Sequence, residues 1–68
     1  MTTTDTYDVL GMTCDHCAHA VTTEVSALEG VYDVQVDVTT GKVQVTAGRA
    51  LPATDVREAV EEAGYTLA

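Results

Sequence analysis

At 68 residues the chain is one small domain, and a domain of that size buries only about 60% of the surface its unfolded chain exposes, so the interior is needed for folding and a deep enzyme pocket is not expected. The apolar share of 46% comes mainly from Val and Ala, with no Trp or Phe, and the formal net charge is −8. Such a charge repels nucleic acid and anionic lipid, and no apolar run is long enough to insert into a bilayer.

In chain order, Tyr7-Asp8-Val9-Leu10 reads as a short strand and Cys17 to Leu28 as a helix, with Ala18, Val21, Val25 and Leu28 as its apolar stripe. From Val31 to Val38 the pattern alternates, with Tyr32, Val34, Val36 and Val38 on one side and Asp33, Gln35 and Asp37 on the other. Val43, Val45 and Ala47 repeat the alternation, and Thr39-Thr40-Gly41 supplies the turn of an antiparallel hairpin. Pro52 suits a helix start, Val56, Ala59, Val60 and Ala63 follow at helical spacing, Gly64 ends the helix, and Tyr65-Thr66-Leu67 makes a last short strand. The expected fold is α+β: a ferredoxin-like βαββαβ sandwich, a four-stranded antiparallel sheet with two helices on one face. Leu10 then points to the uncovered face, where a polar residue would be usual.

The chemistry is concentrated in Gly11-Met12-Thr13-Cys14-Asp15-His16-Cys17, which places the only two cysteines three positions apart where a strand runs into a helix. Unpaired N–H groups and a partial positive charge at a helix start favour thiolate over thiol, with Asp15 opposing that shift and a protonated His16 assisting it. Two thiolates are soft ligands and select Cu(I) or another soft ion over hard ones. A structural Zn(II) site usually wants four ligands, and there is no second cysteine pair to complete them. His16 is a possible accessory ligand, between two subunits for example, or is simply solvated. His19, two positions beyond Cys17, falls roughly on the opposite side of the helix and reads as exposed. Met12 reads better as a core plug under the loop than as a thioether ligand. Tyr65 is either a core ring or a group standing close to the site.

The motif Gly11-Met12-Thr13-Cys14-Asp15-His16-Cys17, followed by Ala18 and Val21 and by Glu61-Glu62-Ala63-Gly64-Tyr65 near the end, resembles a heavy-metal-associated domain of the kind found as bacterial copper chaperones. The resemblance runs from Tyr7 to Leu67 and makes residues 1–68 a single such domain. It implies Cu(I) bound by Cys14 and Cys17 and passed by thiolate exchange to the metal-binding domain of a copper-transporting P-type ATPase. It also implies that Tyr65 lies near the metal loop, and it leaves room for a metal-bridged homodimer. Relatives that handle Zn(II) or Cd(II) often carry Asp just before the first cysteine, where this chain has Thr13. Mercury-scavenging relatives share the Met-Thr-Cys start but are periplasmic, whereas Met1-Thr2-Thr3-Thr4-Asp5 has neither the basic segment nor the apolar stretch of an export signal. A free-standing cytoplasmic protein is therefore expected, without enzymatic activity. In a reducing cytosol a vicinal cysteine pair is more often a metal or redox site than a structural disulfide.

Two rivals remain. Thiol-disulfide exchange also uses Cys-x-x-Cys at a helix start, but in a larger fold that usually sets a Trp or Pro beside the pair. A regulatory or interaction module with incidental cysteines leaves the placement of the motif unexplained. Residues 1–41 hold seven acids and no Lys or Arg, against four acids and three bases in 42–68. Either this acidity only keeps the chain soluble, or the partner offers a neutral or basic face.

Overall fold

The computed structural model describes residues 2–68, in the order β1 (Thr3–Leu10), α1 (Asp15–Ser26), β2 (Val31–Asp37), β3 (Lys42–Ala47), α2 (Ala53–Glu62) and β4 (Thr66–Leu67). The strands form one four-stranded antiparallel sheet ordered β2-β3-β1-β4, which is the ferredoxin-like βαββαβ arrangement. β1 starts earlier than its apolar residues suggest, because Thr3 to Thr6 pair with Ala47 to Gln44 of β3. Threonine suits a half-wet strand, and ladder pairing extends the element beyond the apolar alternation. α1 likewise starts at Asp15, two residues before Cys17, with the Asp15 carboxylate at the positive end of the helix.

Residues opposite each other in the ladder share a face, so the register sorts the sheet into rows. Tyr7, Val43 and Val36 lie in one inner row, and Asp8, Lys42 and Asp37 lie in one outer row. The inner rows meet the helices in a core of Val9, Met12, Val21, Val25, Val43, Val45, Val56, Ala59 and Val60. Six valines are fully buried, and each contributes about 1.5–3 kcal/mol of transfer free energy. Val21 and Val25 in α1, and Val56 and Val60 in α2, sit four apart on the buried stripe. Valine is a modest helix former and helices of 12 and 10 residues are marginal alone, so packing on the sheet holds them helical. The outer face is open and polar apart from Leu10, 57% exposed at the end of β1, and Tyr32, 71% exposed in β2.

Tyr32 does not share the core face with Val34, Val36 and Val38. A bulge between Val31 and Asp33 shifts the phase of β2, so Val31 packs against the core and the Tyr32 ring lies exposed beside Gly48. One extra residue reverses the alternation that the sequence pattern assumes.

Two left-handed glycines fix the end of the molecule that carries the cysteine loop. Gly64 (φ +93°) closes α2 in a Schellman arrangement, its N–H bonded to the Glu61 carbonyl at 2.9 Å and the Tyr65 N–H to the Val60 carbonyl at 3.1 Å. Gly41 (φ +75°) ends the β2–β3 turn and accepts the Val9 N–H at 2.8 Å; a Cβ there would stand 2.8 Å from the Val9 carbonyl oxygen. Gly64→Ala therefore costs about 1–2 kcal/mol from backbone strain alone, because its Cβ would meet nothing within 4 Å. Gly41→Ala costs more, since the collision with β1 adds to the strain. Urea unfolding midpoints should fall in that order, and equal midpoints would contradict the close approach at Gly41.

Candidate metal centre

The candidate site occupies the turn from β1 into α1. After Leu10 the chain turns at Gly11 (φ +94°), drops Met12 into the core at 7% exposure, and rises through Thr13 to the helix. Cys14 is the extended residue before the first helical turn, and its carbonyl accepts the N–H groups of Cys17 at 3.1 Å and Ala18 at 3.2 Å. With its side chain unused as a helix cap, Cys14 leaves its sulfur exposed, while Cys17 is half-buried against the core. Both are free thiols, and their sulfurs lie 3.6 Å apart. That separation is less than twice a typical zinc–sulfur bond of about 2.3 Å, so both sulfurs are within reach of one ion.

The electrostatics of the pair are unequal. The Cys17 thiol is lowered to about 6, first by a backbone hydrogen bond from Thr13, then by the Tyr65 hydroxyl, with burial opposing and Cys14 adding smaller contributions. The phenol of Tyr65 is raised in turn, mainly because it donates to Cys17. Asp15 and His16, the residues whose charge the sequence suggested would act on the pair, are not among these causes. Tyr65 reaches the site because the turn after α2 aims it across the start of α1, over Gly11. A Cβ at Gly11 would come within 3.3 Å of the Tyr65 ring. The family resemblance puts Tyr65 near the metal loop, but no pattern in the sequence shows that its ring meets Gly11. The Thr13 N–H is invisible to any reading of side chains.

The other sequence candidates stand apart. Met12 is buried in the core beneath the loop, which makes it a plug and takes it away from the sulfurs' solvent side. His16 and His19 are both exposed on α1. Among the described residues no three His, Cys, Asp or Glu side chains are grouped closely enough to hold a metal ion, so none of these adds a third or fourth ligand to the thiol pair. Open two-sulfur geometry suits a soft ion of low coordination number and does not suit a closed four-ligand structural site.

The heavy-metal-associated domain family matches residues 6–66. The chain belongs to the heavy-metal-associated domain family. It is 41% identical over 64 residues to the copper chaperone CopZ of Bacillus subtilis, covering 93% of each chain. Among solved structures it is similar to oxidized MerP from Ralstonia metallidurans, at 35% identity and a TM-score of 0.87 over 100% of this chain and 96% of that one. It is also similar to the Cu(I)-loaded N-terminal domain of a potential copper-translocating P-type ATPase from Bacillus subtilis, at 32% identity and a TM-score of 0.86 over 98% and 85% of the two chains. As a heavy-metal-associated domain the chain carries its cysteine pair on the same βα turn that the fold leaves open to solvent.

In the reduced, metal-free protein, alkylation of Cys17 should rise through about pH 6, where its thiolate forms. Tyr65→Phe removes a donor to that thiolate and moves the rise to higher pH. Mass-spectrometric mapping of the alkylated peptide across pH checks both. A profile for the unmodified protein centred near the usual thiol value of about 8.5 would contradict the assigned contacts.

Proposed function

We propose that the chain is a cytoplasmic copper chaperone that carries one Cu(I) on Cys14 and Cys17 and hands it to the metal-binding domain of a copper-transporting P-type ATPase. The observation that carries this reading is the pair of free thiols 3.6 Å apart, one exposed and one half-buried, with no further His, Cys, Asp or Glu ligand grouped around them among the described residues. Support for copper as the cargo comes from the soft donor set and from the similarity to a copper chaperone over nearly the whole chain. Support for the partner comes from the similar fold of an ATPase N-terminal domain. No helix is long and apolar enough to cross a membrane among the described residues.

Transfer follows from the inequality of the two sulfurs. Cys17 is held in the thiolate form by the Thr13 N–H and the Tyr65 hydroxyl and acts as the anchor. The exposed Cys14 is open to an incoming group. A partner thiolate adds to the two-coordinate ion, giving a three-sulfur bridge; the Cys14–Cu bond then breaks, and a second partner thiolate displaces Cys17. Copper stays Cu(I) throughout and each bond broken is matched by one formed, so the barrier never includes a bare ion. Met12 supports the loop from below, and His16 lies where a second molecule can meet it.

Under anaerobic, reducing conditions one Cu(I) should bind per chain. Cys14→Ser or Cys17→Ser should lower affinity against a competing chelator by more than the roughly 10–100-fold that loss of a supporting residue costs. Tyr65→Phe should stay within that range, and far-UV circular dichroism should show all three variants folded. A double Ser variant with full Cu(I) affinity, or a preference for Zn(II) or Hg(II) in the same competition, would overturn the assignment. Reversible thiol-disulfide exchange with no metal uptake would establish the redox rival in its place.

A coordinatively unsaturated ion also permits bridging between two copies. Sedimentation at rising Cu(I) ratio should show dimers, fewer of them in His16→Ala. Purely monomeric protein at excess Cu(I) would remove the metal-bridged form.

A further inference from the structure

Between α1 and α2 lies a groove of about 480 Å³ on the outer side of the helical layer. Its floor is apolar and built mainly of small side chains, Ala27 and Ala59 with Leu28. Its walls are carboxylates: Glu24 on the α1 side, and Asp55, Glu58 and Glu62 along α2. No Lys or Arg lines it. Two of the chain's three cations are engaged elsewhere, Lys42 with Asp8 on the open face of the sheet and Arg49 with the Glu29 carbonyl.

Folding does not account for this arrangement. Glu58 and Glu62 are four apart on one helix, where like charges repel. Glu61 and Glu62 lie at the negative end of the α2 dipole, in a last turn that has no basic residue. The one ion pair among the described residues is Lys42 with Asp8, so no groove carboxylate is in an ion pair, and the only Lys or Arg on either helix is Arg57, which does not line the groove. A negatively charged wall on an apolar floor is complementary to one kind of surface, cationic at its sides and apolar along its middle.

We infer that the groove is a docking surface for a basic amphipathic helix of a partner protein. The purpose of such docking rests on the reading that the chain hands a cargo to a second protein. A third helix laid along the valley between two places one apolar row on Ala27, Leu28 and Ala59. Its Lys or Arg side chains then meet Asp55, Glu58 and Glu62, which recur three and four residues apart on α2. A second copy of this chain does not supply that helix, because α1 has no Lys or Arg and α2 has only Arg57. Glu62 is three residues before Tyr65, whose hydroxyl donates to Cys17, so the α2 wall of the groove runs toward the metal-binding end, while its α1 wall, Glu24 with Ala27 and Leu28, lies at the other end of that helix from Cys17.

The test uses the full chain, reduced and metal-free, with a synthetic Leu/Lys amphipathic helical peptide and a scrambled peptide of the same composition. Amide shift changes on titration should be confined to residues 24–28 and 55–62, and affinity should fall about tenfold or more from low to high salt. Glu58→Gln/Glu62→Gln should weaken binding by a similar factor while its unfolding midpoint stays level or rises. Equal binding of the scrambled peptide, or shifts spread to Asp33 and Asp37 on the sheet, means only adventitious attraction between opposite charges and overturns the inference. So does a double variant that binds undiminished, or one that unfolds more easily, which would make the carboxylates structural. Because no metal is present, failure here leaves the copper assignment to its own competition experiment.

Discussion

The short pairing of β4 with the end of β1, Val9 opposite Leu67 and Leu10 opposite Thr66, is the contact on which the rest of the metal-binding end depends. β1 lies between β3 and β4 in the sheet, so its last residues are clamped from both sides just before the chain leaves at Gly11. On one side Gly41 accepts the Val9 N–H; on the other the Ala68 N–H bonds to the Asp8 carbonyl at 2.8 Å. With that exit fixed, the turn at Gly64 brings Tyr65 over, and its ring comes to rest against Gly11. The site therefore depends on two segments more than fifty residues apart, joined through the middle of the sheet.

A core made mostly of valine suits this task. β-Branched side chains have few rotamers to lose, so packing six of them costs little side-chain entropy and yields a stiff interior from a short chain. The reactive loop needs that stiffness. Its sulfurs are held near 3.6 Å by the helix start and the buried Met12, with no closed cage of ligands around them. A carrier gains from this, because a site preorganised by the fold binds firmly while remaining open to an incoming thiolate. A four-ligand cage would hold its ion and exclude the partner.

Charge shows where function and stability diverge. On the open face of the sheet Asp8 is paired with Lys42, and the Asp37 carboxylate is held below its usual range, first by the Thr39 hydroxyl and then by the Thr39 N–H. The carboxylates between the helices have no such partners. Local repulsion of this kind persists in a small, modestly stable domain most readily where an outside surface supplies the missing cations.

The sequence by itself determined the order of elements, the apolar stripes of both helices, the hairpin and the cysteine pair, because each is written in local periodicity or in residues three positions apart. It also placed Leu10 on the open face, and it carried the family resemblance that the match over residues 6–66 bears out. It misjudged the start of β1 and both ends of α1: ladder pairing and polar first-turn residues extend these elements beyond their apolar signal, and the helix stops at Ser26, before Leu28. It set Tyr32 on the core face, which an unpaired bulge residue reverses. The inward Met12 is the reading the sequence already preferred, and the family resemblance already put Tyr65 near the loop; only the tertiary structure decided that the Tyr65 ring meets Gly11 and its hydroxyl Cys17, and that the Thr13 N–H, more than Asp15 or His16, sets the state of Cys17. Those are contacts between distant segments or with the backbone itself, and neither leaves a periodicity for a sequence to show.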